Sequence, residues 1–121
     1  MPDAPLTELV AQLRDLAADP AEGVADADLL HRHVRDRDAV AFEALVWRHA
    51  RLVMGVCRRQ LRHHHDAEDA FQAVFLLLAR KAHQLRRGSA LSAWLHTTAV
   101  RVARRAAKRR RSGTWSSIRS F

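Results

Sequence analysis

The sequence predicts an all-α protein, a compact bundle of about four helices preceded by an extra amphipathic helix. Three observations carry this. No stretch alternates apolar and polar residues as a half-buried strand does, apolar residues recur at helical spacing through most of the chain, and glycine is scarce while tyrosine is absent. At 121 residues and 48% hydrophobic content the chain is long enough for one small domain with a modest core.

Each element follows from its own pattern. Leu6, Leu9, Val10, Leu13 and Leu16 predict an amphipathic helix over 6–18, which Asp19-Pro20-Ala21-Glu22-Gly23 breaks. A short helix through Leu29, Leu30 and Val34 is expected to start after Asp28, and Arg35-Asp36-Arg37-Asp38 reads as a turn. A long helix is expected over 39–61, its core stripe formed by Phe42, Val46, His49, Val53, Val56 and Cys57 at ~100° per residue. Arg62-His63-His64-His65 reads as a connection, with Asp66 as the cap of a helix reaching Gln84 and burying Ala67, Phe71, Val74, Phe75 and Leu78. A basic loop, His83 to Ser89, leads to Ser89 or Ser92 as cap of the last helix. That helix is expected to end near Lys108, followed by a disordered Arg-rich tail.

Charge and cysteine content narrow the function classes. The net charge of +8 combines a first half, 1–50, of net −5 with a second half, 51–121, of net +13. Eleven basic residues and no acid lie between Arg80 and Arg111, which points to a polyanion partner. Nineteen of the 21 cations are Arg, a choice that suits planar pairing with phosphate and stacking on bases. The lone Cys57 excludes an internal disulfide and a four-cysteine zinc site, and fits a reducing compartment. No apolar run approaches the ~20 residues of a membrane span, and Met1-Pro2-Asp3 does not open a secretion signal. The expected location is cytoplasmic.

Two helices carry more than a core face. On the last one, Leu91, Leu95, Ala99, Val102 and Ala106 share an arc of about 80°, while Trp94, Thr98, Arg101, Arg105 and Lys108 share another roughly 100° away. A tryptophan beside a basic row suits backbone neutralisation with base stacking; a solvated Arg-rich helix is the plain alternative. On the preceding helix Asp69, Gln72 and Leu76 lie away from the core stripe, and Asp66 and Glu68 add charge at its start. Acids there favour the helix dipole, whereas an outward Leu76 beside Gln72 suggests a partner surface.

Histidine invites an enzymatic alternative. His63-His64-His65-Asp66 with Asp69, His31 and His33 could suggest a metal-dependent phosphohydrolase, but adjacent histidines cannot all face one ion and no His-x-x-x-His or His-Glu-x-x-His spacing supports it. No catalytic residue, metal site or cofactor is expected. His49 is read as a hydrogen-bonded interior histidine and Cys57 as a small core residue. A generic basic helix-turn-helix module would explain the charge but not the acidic box with Gln72 and Leu76.

The order of segments resembles a known family. Ala41-Phe42-Glu43-Ala44-Leu45, Leu52-Val53-Met54-Gly55-Val56-Cys57-Arg58-Arg59, Asp66-Ala67-Glu68-Asp69-Ala70-Phe71-Gln72-Ala73-Val74-Phe75-Leu76 and Ser92-Ala93-Trp94-Leu95 are similar to region 2 of sigma-70 family RNA polymerase sigma factors, in particular the extracytoplasmic-function (ECF) type. The likeness covers about 26–108, with the acidic box its most specific part. It implies a region 2-like domain over 26–111, with 1–25 as an N-terminal extension and linker and 112–121 as a tail. It also implies a bacterial transcription initiation factor without enzymatic activity. Asp66, Glu68, Asp69, Gln72, Leu76 and Arg80 would dock on the β′ clamp helices of polymerase core. Arg86, Arg87, Ser89, Trp94, Thr98, Arg101, Arg105 and Lys108 would bind the melted non-template strand of the −10 promoter element, with an extruded base held by the loop from Gln84 to Ser92. An anti-sigma factor is a further partner class that the resemblance brings. Two departures stand out: no segment of these 121 residues is expected to serve as a region 4 for a −35 element, and the last helix lacks the Asn that many relatives carry near its middle.

Overall fold

The computed structural model describes residues 19, 21–85 and 90–112, and these are helical apart from short connections. Four α-helices follow in order: α1 (Asp26–Asp36), α2 (Ala39–Gln60), α3 (His64–Lys81) and α4 (Leu91–Ser112), with a 3₁₀ turn at Ala82–Gln84. There is no strand among the described residues. The all-α bundle expected from the periodicity is what forms. The expected helix over 6–18 lies outside the described residues.

Local chemistry sets the boundaries. The chain enters through a turn in which Val24 N–H donates to the Ala21 carbonyl at 2.9 Å, and Gly23 supplies the φ of +89° that a side chain would resist. Helix α1 starts at Asp26, earlier than expected, because Asp26 and Asp28 both sit in its first turn and favour the dipole there. It also continues through Arg35-Asp36, and the turn shrinks to Arg37-Asp38. Arg37 ends α1 in the left-handed region at φ 52°. Asp38 starts α2, its Oδ1 accepting from Val40 N–H at 3.0 Å and Ala41 N–H at 3.1 Å.

Two further boundaries differ from the sequence reading. Helix α3 begins at His64, so Asp66 lies inside the first turn and not at the cap. The i, i+4 pair of His64 with Glu68, 2.8 Å apart, closes that earlier turn. Helix α4 runs on through Arg109-Arg110-Arg111 to Ser112, four residues past the expected end. Ala and Arg are strong helix formers, and Gly113 is the first helix breaker after Leu91.

Helix α2 is central and packs against α1, α3 and α4, while α3 and α4 pack on each other. Leu29, Leu45, Val53, Val56, Phe71, Leu78, Leu91 and Leu95 are the large side chains sealed between them. The Phe71 and Phe75 rings meet at 4.9 Å and 55°, a tilted contact favoured by aromatic quadrupoles. The stripe expected on α3 is wholly buried. On α2, Phe42 is only half-buried and turns its ring to His33 at 4.7 Å. On α4, Ala103 takes the buried place, and Val102 and Ala106 are half-buried.

Candidate functional site

The acidic box of α3 divides among three environments. Asp66 is partly buried and its Oδ2 lies 3.1 Å from Arg110 Nη1 on α4. Glu68 turns inward, 6% exposed, and takes His64 at 2.8 Å and His65 at 3.8 Å. Asp69 is exposed, together with Gln72 and Leu76 on the same helical face. Leu76 is 62% exposed, a large apolar side chain offered from a polar face. Of the residues expected on the docking surface, Asp69, Gln72, Leu76 and Arg80 therefore stand outward, and Glu68 does not.

The residues expected on the basic face also separate. Arg101, Arg105 and Lys108 are exposed on α4. Trp94 is half-buried against the core, and Thr98 is only 5% exposed. Arg86, Arg87 and Ser89 lie outside the described residues. Leu91, Leu95 and Ala99 fill the α4 face that packs inward, and the 3.6-residue period then fixes which cations face out.

Between α3 and α4 runs a groove that joins the two sets. Ala73, Leu76, Leu77 and Val102 give it an apolar lining, with Thr98 among them, and Arg80, Lys81, Arg101, Arg105 and Arg109 supply five cations. Leu76 and Arg80 were expected to face a protein and Arg101 and Arg105 to face nucleic acid; the fold places all four on one groove. Spacing within single helices cannot show this, since the groove exists only when α3 lies against α4. A second recess on α4 is lined by His96, Thr97, Val100, Arg101 and Arg104. His96, Arg104 and Arg109 were missed, although each lies within one or two turns of Arg101 or Arg105.

A polar cluster in the middle of α2 anchors the entry segment. Arg48 donates to Asp19 Oδ2 at 2.7 Å, to Asp26 Oδ1 at 3.0 Å and to the Ala21 carbonyl, while His49 Nε2 lies 2.8 Å from Asp26 Oδ2. The hydrogen-bonded interior role expected for His49 is thus observed. Burial opposes the charge on Arg48, but the hydrogen bonds and attraction of Asp26 and Asp19 outweigh it and hold its pKa above the usual value. Burial pushes the Cys57 thiol up to about 11. Among the described residues no group of three or more His, Cys, Asp or Glu side chains is arranged to hold a metal ion. No helix among them is long and apolar enough to cross a membrane.

Comparison with known proteins covers three of the four blocks that carry the resemblance, and only Leu45 of the first, Ala41-Phe42-Glu43-Ala44-Leu45. The family model for Sigma-70 region 2 matches residues 45–113, which takes in most of α2 and all of α3 and α4. The ECF RNA polymerase sigma factor SigM of Mycobacterium tuberculosis strain H37Rv is 40% identical over 76 residues, 63% of this chain and 38% of that protein. SigM of the Erdman strain is 38% identical over the same share of each chain. The matched stretch thus spans well under half the length of these relatives. No solved structure gives a significant match. With the match covering more than half of the residues and the bundle folded around its blocks, the chain belongs to the sigma-70 region 2 family.

Proposed function

We propose that the chain is the core-docking and promoter-binding part of an ECF-type sigma factor. It acts by binding and not by catalysis: the exposed face of α3 meets the β′ clamp helices of RNA polymerase, and α4 with its flanking groove holds the non-template strand of the −10 element. The observation that carries this reading is the pairing of two unlike surfaces on adjacent helices. One presents Asp69, Gln72 and Leu76, and the other a groove whose apolar floor is flanked by five cations, with no acid among its lining residues. A generic basic module needs only the second.

The physical logic is one of exchange. Opening a duplex costs a few kcal/mol per base, and a surface that captures the unpaired strand offsets that cost. Cations along the α3–α4 groove and α4 neutralise strand phosphates with release of counterions, and Trp94 supplies a ring at the start of the helix. Neither step calls for a metal or nucleotide cofactor. The similarity to SigM, an ECF factor by name, supports the subtype.

A pull-down of polymerase core tests the docking half. Asp69→Ala with Gln72→Ala should weaken capture while the domain stays folded; undiminished capture refutes the α3 assignment. The promoter half is tested with single-stranded −10-like DNA. The chain should prefer the non-template strand over its complement and lose affinity in Trp94→Ala, whereas equal affinity for both strands favours a generic binder.

A further inference from the structure

Arg48 holds both ends of the turn that leads into α1. Its guanidinium donates to Asp19 Oδ2 at 2.7 Å and to Asp26 Oδ1 at 3.0 Å, and to the Ala21 carbonyl between them. The Asp19 carboxylate also accepts from Ala21 N–H at 2.8 Å, which closes the turn on itself. The turn thus begins and ends at one level of α2. From that level α1 runs back to the start of α2, the two helices being joined by Arg37-Asp38 alone. Helices linked by so short a connection lie side by side in opposite senses. The chain before Asp19 therefore leads back along the first half of α2.

That half of α2 carries an apolar strip turned away from the bundle. Val40 is 68% exposed and Trp47 is half-buried. They stand two turns apart and, at ~100° per residue, roughly 140° from the arc of Val46, His49, Val53, Val56 and Cys57 that packs inward. Leu6, Leu9, Val10, Leu13 and Leu16, outside the described residues, supply an apolar stripe of the same period. Leu9 and Leu16 are separated by as many positions as Val40 and Trp47, ~10.5 Å in either helix.

We propose that residues 6–18 seat as a further helix on this strip, parallel to α2, with Leu16 over Trp47 beside the Arg48 anchor and Leu9 over Val40. At 1.5 Å per residue the segment is ~20 Å long, more than the ~14 Å from Ala39 to Arg48, so it covers the strip from end to end. A helix this short is marginal in water alone, and the seat supplies its order by burying both apolar stripes. The strip lies across α2 from α3 and α4. The segment therefore braces the α1–α2 pair and leaves Asp69, Gln72, Leu76 and the cations of α4 open. This inference stands independently of the function proposed above.

Urea denaturation of the full chain tests it. Leu9→Asp with Leu13→Asp should lower the unfolding midpoint, and so should Val40→Asp. The sign of the second effect is diagnostic: on an uncovered site in the first turn of α2 an added carboxylate favours the helix dipole and holds or raises the midpoint. All three substitutions together should lower it no further than the more damaging set alone, because both sets break one contact. A midpoint that Val40→Asp leaves unchanged or raises, or losses that add, overturns the proposal. Cross-linking reads the direction. In a Cys57→Ala background a short bismaleimide should join the pair Leu9→Cys and Val40→Cys and fail to join the pair Leu9→Cys and Arg58→Cys; the reverse result overturns the parallel seat. Leu9→Asp with Leu13→Asp should leave binding of a single-stranded −10-like oligonucleotide unchanged. Tighter binding at an unshifted midpoint places the segment on the α3–α4 groove, and a dimer in sedimentation that the same variant abolishes places it on a second copy. Either result overturns the proposal.

Discussion

Arg48, in the middle of α2, bonds the carboxylate of Asp26, the first residue of α1, at 3.0 Å, and so ties the entry of the chain to the central helix. The same guanidinium holds Asp19 at 2.7 Å, and His49 shares the second oxygen of Asp26. All four side chains are too enclosed for water to replace a lost partner fully: His49 is 10%, Arg48 16%, Asp19 22% and Asp26 24% exposed.

Arg48→Ala should therefore destabilise the domain by about 2 kcal/mol, because it leaves two partly buried carboxylates without their shared cation. Arg48→Lys should recover little, since an ammonium cannot span both acids and a carbonyl in one plane. Urea denaturation followed by circular dichroism reads both. A loss below about 0.5 kcal/mol for Arg48→Ala, the range of an ordinary surface change, would contradict this account.

Asp38→Ala should cost about 1 kcal/mol through loss of the α2 cap. Its Oδ1 serves two backbone donors, those of Val40 and Ala41, at the start of the helix that packs against the other three. Asp38→Asn or Asp38→Ser should restore most of the stability in the same denaturation experiment, because either side chain still accepts the cap hydrogen bonds.

Leu76 and Leu78 lie two positions apart on α3 and should behave oppositely. Leu78 is fully buried, so Leu78→Ala should cost about 3 kcal/mol. Leu76 is 62% exposed, so Leu76→Ala should change stability by no more than about 0.5 kcal/mol while weakening polymerase capture. Denaturation and pull-down on both variants separate packing from docking.

Cys57 gives a pH dependence. Its thiol is raised from 9.0 to about 11 by burial, so the folded state favours the protonated form more than the unfolded chain does. That contribution is complete below pH 9 and is lost as the pH rises through about 11. Stability of the native chain should fall over this window more steeply than that of Cys57→Ala. At neutral pH the thiol should react with a thiol reagent slowly when folded and rapidly in denaturant.

Much of the bundle was legible in single helices. The buried stripe of α3 follows from Ala67, Phe71, Val74, Phe75 and Leu78 at helical spacing, and His49 and Cys57 fall inward on α2 by the same period. Helix ends were less legible. Asp66 has the chemistry of a cap, but the His64–Glu68 pair closes an earlier turn and leaves Asp66 to Arg110, which lies 44 residues away. Arg109, Arg110 and Arg111 look like a solvated tail by composition, yet nothing in them breaks a helix that has already been nucleated.

The amino-acid order by itself determined the helical class, the split between an acidic first half and a basic second half, and the family, because each depends on local spacing or on residue identity. Tertiary structure alone decided which acids of the box face outward, that Thr98 is nearly enclosed, and that Leu76, Arg80, Arg101 and Arg105 line one groove. The Arg48 clasp belongs with these, joining residues 22 and 29 positions apart. The physical reason is common to all of them. Burial and ion pairing are set by which helices touch, and helical periodicity gives each helix an inner face without naming the neighbour that will cover it.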